Sequence, residues 1–372
     1  MSAGRVRETL RTSGPLWTAS LMLDRVLPYP VLRHWPDRCV SAAELERQVA
    51  EVFRAWGMTE EYAAATAGHM VATDLRGVDS HGVSTLLGYH RLLRAGELEP
   101  RPEVRTVSRD AATALVDGGG GLGHVPAEAG MRLAVELARE AGTGTVAVRN
   151  SGHFGAAGIY SAMAAEEGMI GIACTDTREP AVVPARGREA KLGTNPIAFA
   201  APGREGPPFE LDMATTTASL GRVLGAWRRG RRLPAGWAMR EDGSPERDGR
   251  RAFEDRRLMP LGGYKGYGLA AMVELLCGVL PGPGAVGHFL LALDPERFRP
   301  AGELQTGVDR LSGELRATRP LDPSRPVLVP GDPERAARAE RERLGIPLSR
   351  SVLEDVRGVA RASGVPFILD GP

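Results

Sequence analysis

The spacing of apolar residues divides the chain into a helical first part and a longer part in which strands and helices alternate. From Ser41 the repeat is helical: Leu45, Val49, Val52, Phe53 and Trp56 fall on one face, and Gly57 ends the run. Ser41 with Glu44 three residues later is a capping box. The same repeat predicts a second helix from Thr59 to about Thr73 and a third from about Ser84 to Ala95. Between them, residues 74–82 (DLRGVDSHG) hold two glycines, break the repeat and read as a polar loop. From Ala112 the apolar runs shorten. Strands are expected at 114–116, 145–148, 169–174 and 209–211, with helices over 127–141, up to about Glu167, and over 265–280. Such alternation indicates an α/β lobe. Residues 203–208 read as a Pro- and Gly-rich turn, 227–257 as charged surface loops, and 334–364 as a charged, peripheral helical tail. The expected organisation is an N-terminal arm (1–40), a helical lobe (41–110), an α/β cofactor-binding lobe (111–285) and a C-terminal segment (286–372) packing back on the helical lobe. There is no internal repeat.

With 372 residues and 42% hydrophobic content, the chain is long enough for two or three packed lobes. A net charge of +1 gives no electrostatic reason to expect nucleic acid as a partner. The cluster Arg228, Arg229, Arg231 and Arg232 reads as a solvated turn. Cys39, Cys174 and Cys277 are scattered and form no CxxC pair, which fits a reducing cytoplasm; the last two sit in apolar runs and read as core. No metal site is expected, and no apolar run is long enough to span a bilayer. The apolar stretch 15–32 is interrupted by Asp24, Arg25, Pro28 and Pro30 and lacks a small-residue cleavage site after an apolar core, so no signal peptide is expected. An extension packed on its own domain or partly disordered is favoured there over a docking arm.

Gly118-x-Gly120-x-x-Gly123 follows a predicted strand and precedes a helix, the local context of a dinucleotide fingerprint. Four consecutive glycines satisfy many patterns by chance, however, and the next strand ends in Arg149-Asn150 where an acidic residue is expected. A Rossmann fold built on this loop is therefore the weaker reading.

Six other landmarks occur in order. They are Arg76-Gly77-Val78-Asp79-Ser80-His81-Gly82, NSGHFG at 150–155, Leu192-Gly193-Thr194-Asn195-Pro196, Leu211-Asp212-Met213-Ala214-Thr215, GGYKGYG at 262–268 and Val329-Pro330-Gly331. With them, from about Ser41 to Gly364, the chain resembles the type-2 malate/L-lactate dehydrogenases. That group also contains ureidoglycolate and sulfolactate dehydrogenases, diketogulonate reductase and piperideine-carboxylate reductase. The resemblance implies an α/β cofactor lobe that is not a Rossmann fold, a helical lobe, a homodimer, and NAD or NADP as cofactor. Hydride transfer to a carbonyl or imine needs a proton donor beside the developing oxyanion or amine, and histidine suits that task. The resemblance casts His81 and His153 as catalytic, with His153 preferred as proton carrier and His81 on the substrate carbonyl. It places Ser80, Thr85 and Tyr89 at the substrate. Thr177, Asp212, Met213, Ala214, Tyr264, Lys265, Gly331, Asp332 and Pro333 fall on the cofactor. His34, His69, His90, His124 and His288 read as structural.

Three departures stand out. The family commonly has an arginine four residues after the first histidine, where it grips the substrate carboxylate; this chain has Thr85. Ala185-Arg186-Gly187 replaces an aromatic and two glycines, and residues 282–287 replace a much longer loop before the next strand. The expectation is an NAD(P)-dependent oxidoreductase acting on a small hydroxy or oxo acid, ketone or cyclic imine, with a pocket altered at Thr85. The alternative is a scaffolding or binding protein that keeps the fold without catalysis.

Overall fold

The computed structural model describes residues 38–177, 179–228 and 230–370. The arm expected over 1–40, apart from its last three residues, lies outside the described residues, as do His34 and Arg229. The first lobe is β1 (Arg38–Val40), α1 (Ala42–Ala55), α2 (Glu60–Leu75) and α3 (Leu86–Arg94). Ser41 and Thr59 cap α1 and α2 by accepting from the N–H groups of Glu44 and Tyr62. Leu45, Val49, Phe53, Met70 and Leu86 form its fully buried core.

The second lobe carries β2 (Arg105–Arg109), β3 (Thr113–Asp117), α4 (His124–Ala141), β4 (Thr143–Ser151), α5 (Ala157–Glu166), β5 (Ile170–Thr175), β6 (Ile197–Ala201) and β7 (Phe209–Met213). Next come α6 (Leu220–Arg228), the short β8 (Ala238–Met239) and β9 (Pro245–Glu246), α7 (Gly249–Asp255), α8 (Tyr264–Glu274) with a π-helical end at Leu275–Val279, and β10 (Val286–Leu293). The chain closes with α9 (Glu303–Arg316), α10 (Asp332–Leu344), β11 (Ile346–Leu348) and α11 (Arg350–Ala362). One seven-stranded sheet has the order β2-β3-β4-β10-β5-β6-β7. Only β3 and β4 run parallel; the other neighbours are antiparallel. A Rossmann fold needs a parallel sheet, so the dinucleotide-fingerprint reading of the glycine loop is excluded.

The boundary expected at 285/286 also moves. β10 lies at the centre of the sheet, between β4 and β5, and belongs to the α/β lobe. Beyond it, α10 packs on α2, α11 packs on α1 and α3, and β11 pairs with β1. Residues 227–257 are not loose surface loops. α6, α7 and the β8–β9 hairpin close over a small core of their own: Val223, Leu233, Phe253 and Leu258.

The inner strands alternate as a half-covered sheet requires. His288, Leu290 and Ala292 of β10 are buried, and Leu290 and Ala292 join Val146, Val148 and Ala173 in the core under α4 and α5. On the opposite face Cys174 and Cys277 are buried with Val273. His288 is fully buried, with Nδ1 2.8 Å from Thr175 Oγ1 and Nε2 2.8 Å from Ser151 Oγ, so one neutral imidazole ties β4, β10 and β5 together. Burial pushes it down to about 3. The unfolded chain takes up a proton here below about pH 6.5 and the folded chain does not, so stability falls as pH drops from 6.5 toward 3. Urea midpoints should decline between pH 7 and pH 5. His288→Gln should lower stability at pH 7 and flatten that decline in part, since His81, His124 and His153 are shifted in the same direction; an unchanged slope would show that this imidazole contributes nothing to it.

Candidate active site

The loop after α2 is clamped before it delivers its histidine. Asp74, buried in the last turn of α2, accepts from the Val83 N–H at 2.8 Å. Its carboxylate fills the space beside Gly82, where a Cβ would lie 2.0 Å from Oδ1. Burial pushes this carboxyl up to about 8. From α10, Arg341 donates to the Asp74 carbonyl at 2.6 Å and pairs with Asp79. On the other side Gly221 of α6 meets Ser80, with room for no Cβ. Ser80 Oγ then lies 2.7 Å from His81 Nδ1.

The second histidine comes from a backbone-on-backbone contact. The N–H groups of Gly118, Gly120 and Gly123 donate to the carbonyls of Arg149, Asn150 and His153 at 2.9, 2.8 and 3.0 Å. A Cβ on Gly123 would stand 2.3 Å from the Gly152 carbonyl oxygen, and one on Gly152 would stand 2.7 Å from that of Gly121. The glycines that suggested a phosphate cradle are thus spent on holding the 150–155 loop.

These loops bring His81 and His153 together. Their rings stack with centroids 5.6 Å apart at 20°. Tyr89, buried on α3, places its Oη 2.6 Å from His153 Nδ1, and the Gly155 N–H points at the same nitrogen at 3.4 Å. A backbone N–H can only donate, so Nδ1 is an acceptor and neutral His153 carries its proton on Nε2. Burial pushes His153 down to about 3, with His81 and His288 adding to the shift, and pushes His81 down to about 4. Both rings are neutral at neutral pH. Tyr89, expected at the substrate, therefore has its hydroxyl on His153. Thr85 donates its own hydroxyl to the Gly82 carbonyl at 2.7 Å.

The residues expected on the cofactor are linked to this pair and to one another. Asp212 Oδ2 accepts from the Gly158 N–H at 2.8 Å, in the first turn of the helix that follows His153. Asp212 keeps solvent exposure, while the protein packed around it disfavours its charge and pushes it up to about 6. Just past Met213 and Ala214, the N–H and hydroxyl of Thr215 donate to the Thr194 carbonyl at 3.0 and 2.9 Å. Leu261 N–H donates to the Thr215 carbonyl at 2.9 Å, which docks Tyr264 and Lys265 beside the same strand end. Thr177 packs against Gly193, which has no room for a Cβ there. Gly331 lies against Glu210, and Pro333 opens α10. Asp332 stands apart: Arg316 Nη2 and Arg335 Nη2 reach its Oδ1 at 2.7 and 2.6 Å, and the Val329 N–H donates to Oδ2 at 2.8 Å. Those bonds, Arg316 first, hold its carboxyl well below the usual range. Its side chain is consumed in shaping the turn.

Lys265 and Tyr264 are exposed in the first turn of α8, whose cap residue Gly263 offers no side-chain acceptor. Uncapped N–H groups at a helix start, with a lysine that the helix dipole opposes, fit an anionic phosphate. A groove of about 390 Å³, lined by Val183, Arg186, Arg188, Met259 and Tyr264 among others, opens beside this turn and not at the histidine pair. Among the described residues no group of three or more His, Cys, Asp or Glu is placed to hold a metal ion.

Asp74 was not foreseen. An acidic residue in the last turn of a helix opposes the dipole, and that anomaly was the signal available. Gly155 was likewise read as a motif letter and not as a donor, and Gly158 lies outside every motif.

A family model described as malate/L-lactate dehydrogenase matches residues 40–357. The chain belongs to this family. It is 38% identical over 342 residues to a malate dehydrogenase of Pyrococcus abyssi, covering 87% of this chain and 94% of that protein. It is 35% identical over 336 residues to an L-sulfolactate dehydrogenase of Methanocaldococcus jannaschii, covering 86% and 96%. The solved malate dehydrogenase of Entamoeba histolytica superposes with a TM-score of 0.85 at 31% identity, over 89% of this chain and 99% of that one. The chain is therefore a hydroxy-acid oxidoreductase of the malate/L-lactate dehydrogenase type. Removing a positioned acid costs on the order of 10²–10⁴-fold in rate. His153→Ala should lose that much kcat with little change in cofactor affinity, and more kcat than His81→Ala. The reverse ranking would make His81 the proton carrier.

Proposed function

We propose that the protein transfers a hydride between NAD or NADP and a small hydroxy or oxo acid, ketone or cyclic imine. The observation that carries this reading is the stacked His81–His153 pair, with two donors on His153 Nδ1 and its proton therefore on Nε2. When bound, the nicotinamide supplies or accepts the hydride. The chain's own residues do the rest. His153 Nε2–H meets the reacting oxygen or nitrogen, and His81, oriented by Ser80, hydrogen-bonds the same group. Asp212 to Ala214, Thr177, Tyr264 and the backbone at 331–333 would hold the dinucleotide, with Lys265 and the start of α8 at its phosphates. Burial of the seam keeps both imidazoles neutral, so they act as hydrogen-bond donors and not as standing cations.

A homodimer completes the reading. Tyr264, Met272, Leu275 and Val279 are exposed at 71, 42, 60 and 62% and recur along one face of α8 and its π-helical end. An apolar stripe of this kind is what a subunit contact covers. Three unpaired cysteines support a reducing, cytoplasmic setting. Among the described residues no helix is long and apolar enough to cross a membrane. Sedimentation with detection at 340 nm tests cofactor and assembly together. Reduced nicotinamide should travel with a species of twice the chain mass, and Leu275→Glu should halve that mass. Nicotinamide absorbance that stays behind with both NADH and NADPH would remove the cofactor assignment.

The substrate pocket differs at Thr85, which is uncharged and bonded to the Gly82 carbonyl. Losing a buried charge partner costs about 2–5 kcal/mol, roughly 30- to several-thousand-fold in kcat/KM. Arg186 lines the groove beside Tyr264, whose walls include none of His81, Thr85, Tyr89 and His153. Pyruvate and oxaloacetate should therefore be poor substrates, and Thr85→Arg should improve both. Efficient wild-type turnover with no gain in Thr85→Arg would contradict the altered pocket.

A further inference from the structure

Behind Tyr89 stands a histidine that no step above uses. His124 opens α4 at the seam between the lobes, is 1% exposed, and has no hydrogen-bond partner on either ring nitrogen. Buried polar groups left unpaired are rare and costly, and most of those that persist are met by water or serve a function. Its ring meets Tyr89 edge-on, with centroids 5.9 Å apart at 82°, and stacks on His69 of α2 at 6.2 Å and 21°. His69 Nε2 lies 2.7 Å from Glu128 Oε2, and Arg132 holds the other carboxylate oxygen at 2.7 and 2.9 Å. Glu128 lies four residues after His124 on α4, so both project from one face. The Glu128 side chain is 22% exposed and reaches solvent. Glu128, His69, His124, Tyr89 and His153 thus form a file from the surface to the reacting centre.

We propose that this file is a proton path: Tyr89 passes its phenolic proton to His153 Nδ1 as His153 releases its Nε2 proton to the substrate, and His124 relays the replacement from His69 and Glu128. The proposal rests on the oxidoreductase reading above. In carbonyl reduction the reduced nicotinamide is oxidised and provides two electrons with the hydrogen of the new C–H bond. One proton must still reach the oxygen. At His153 the Nε2–H bond breaks as the O–H bond forms, and at Tyr89 the Oη–H bond breaks as Nδ1–H forms. His153 is neutral before and after, having changed tautomer, and no imidazolium is required at a site whose burial opposes one. A lasting phenolate is equally opposed, because burial holds the Tyr89 phenol well above its ordinary value. Tyr89 therefore takes a proton from the His124 side in the same event, across the edge-on contact of the two rings. When product leaves, water in the opened cleft returns a proton to Nε2 and the file runs backward. The net uptake is one proton from solvent per carbonyl reduced, and oxidation reverses each step.

Two measurements on the full-length protein test this. In ¹⁵N-histidine NMR spectra, His153 should show a bare Nδ1 and a protonated Nε2 in wild type and in His124→Phe, and mixed tautomers in Tyr89→Phe. A protonated Nδ1 in wild type would overturn the path whether or not a substrate is known. With reduced nicotinamide and a 2-oxo acid or imine, kcat measured across H₂O–D₂O mixtures should curve, as it does when several protons move together. His124→Phe and His69→Gln should straighten that curve and lower kcat about tenfold or more at unchanged cofactor affinity; Tyr89→Phe should lower it by roughly 10². A linear dependence in wild type with unaltered kcat in His124→Phe and His69→Gln would overturn the proposal. Absence of turnover with every nicotinamide and substrate pair would instead sink the oxidoreductase reading, and the tautomer of His153 would then decide the path alone.

Discussion

The site depends on a contact in which two loops touch through backbone alone. Gly121 and Gly123 on one side and Gly152 on the other approach so closely that a methyl group at Gly123 or Gly152 would collide with a carbonyl oxygen. That approach lets the Gly123 N–H hold the His153 carbonyl and fixes where the 150–155 loop can run. Phe154 then stacks on His288, and Tyr160 holds the Phe154 carbonyl at 2.6 Å, so the loop is pinned to the sheet. Only with His153 held in this way does the other histidine loop, set by Asp74 and Arg341, arrive at a stacking distance. The glycines do what no side chain could: they bring donors to within hydrogen-bond reach of another backbone.

The chemistry follows from where that contact lies. It sits at the seam of two cores, so the imidazoles lose much of their water and remain neutral. A neutral histidine is useful only if its single proton is on the right nitrogen. Tyr89 from the helical lobe and Gly155 from the sheet lobe both face Nδ1 and settle that question. The tautomer is thus a property of the assembled lobes and not of either one.

Much of this was legible in the sequence, and the exceptions have physical causes. Local signals served well: the capped helices at Ser41 and Thr59, and the strands around 114–116, 145–148, 169–174 and 209–211, are where periodicity places them. The site motifs were legible because their residues are polar and glycine-flanked where a core would demand apolar ones. Long-range pairing left no such mark. Nothing in residues 286–293 says that they lie between β4 and β5, since antiparallel neighbours more than a hundred residues apart share no local pattern. β2 is exposed throughout and β6 is mostly alanine, so neither gives the apolar alternation of a strand. The 118–123 glycines misled because close backbone packing and phosphate binding call for the same residue. The absence of partners on His124 left no mark in the sequence, because it belongs only to the folded chain.

The central claim is that this seam transfers a hydride between nicotinamide and a small substrate. The direct measurement uses reduced nicotinamide deuterated at C4, in both NAD and NADP forms and labelled on either face, with a panel of 2-oxo acids, ketones and cyclic imines. Mass spectrometry of the products should find one deuterium on the carbon that was the carbonyl or imine carbon. That label should disappear when His81 and His153 are both replaced by alanine. Product formed without deuterium, or label retained in the double variant, would contradict the account.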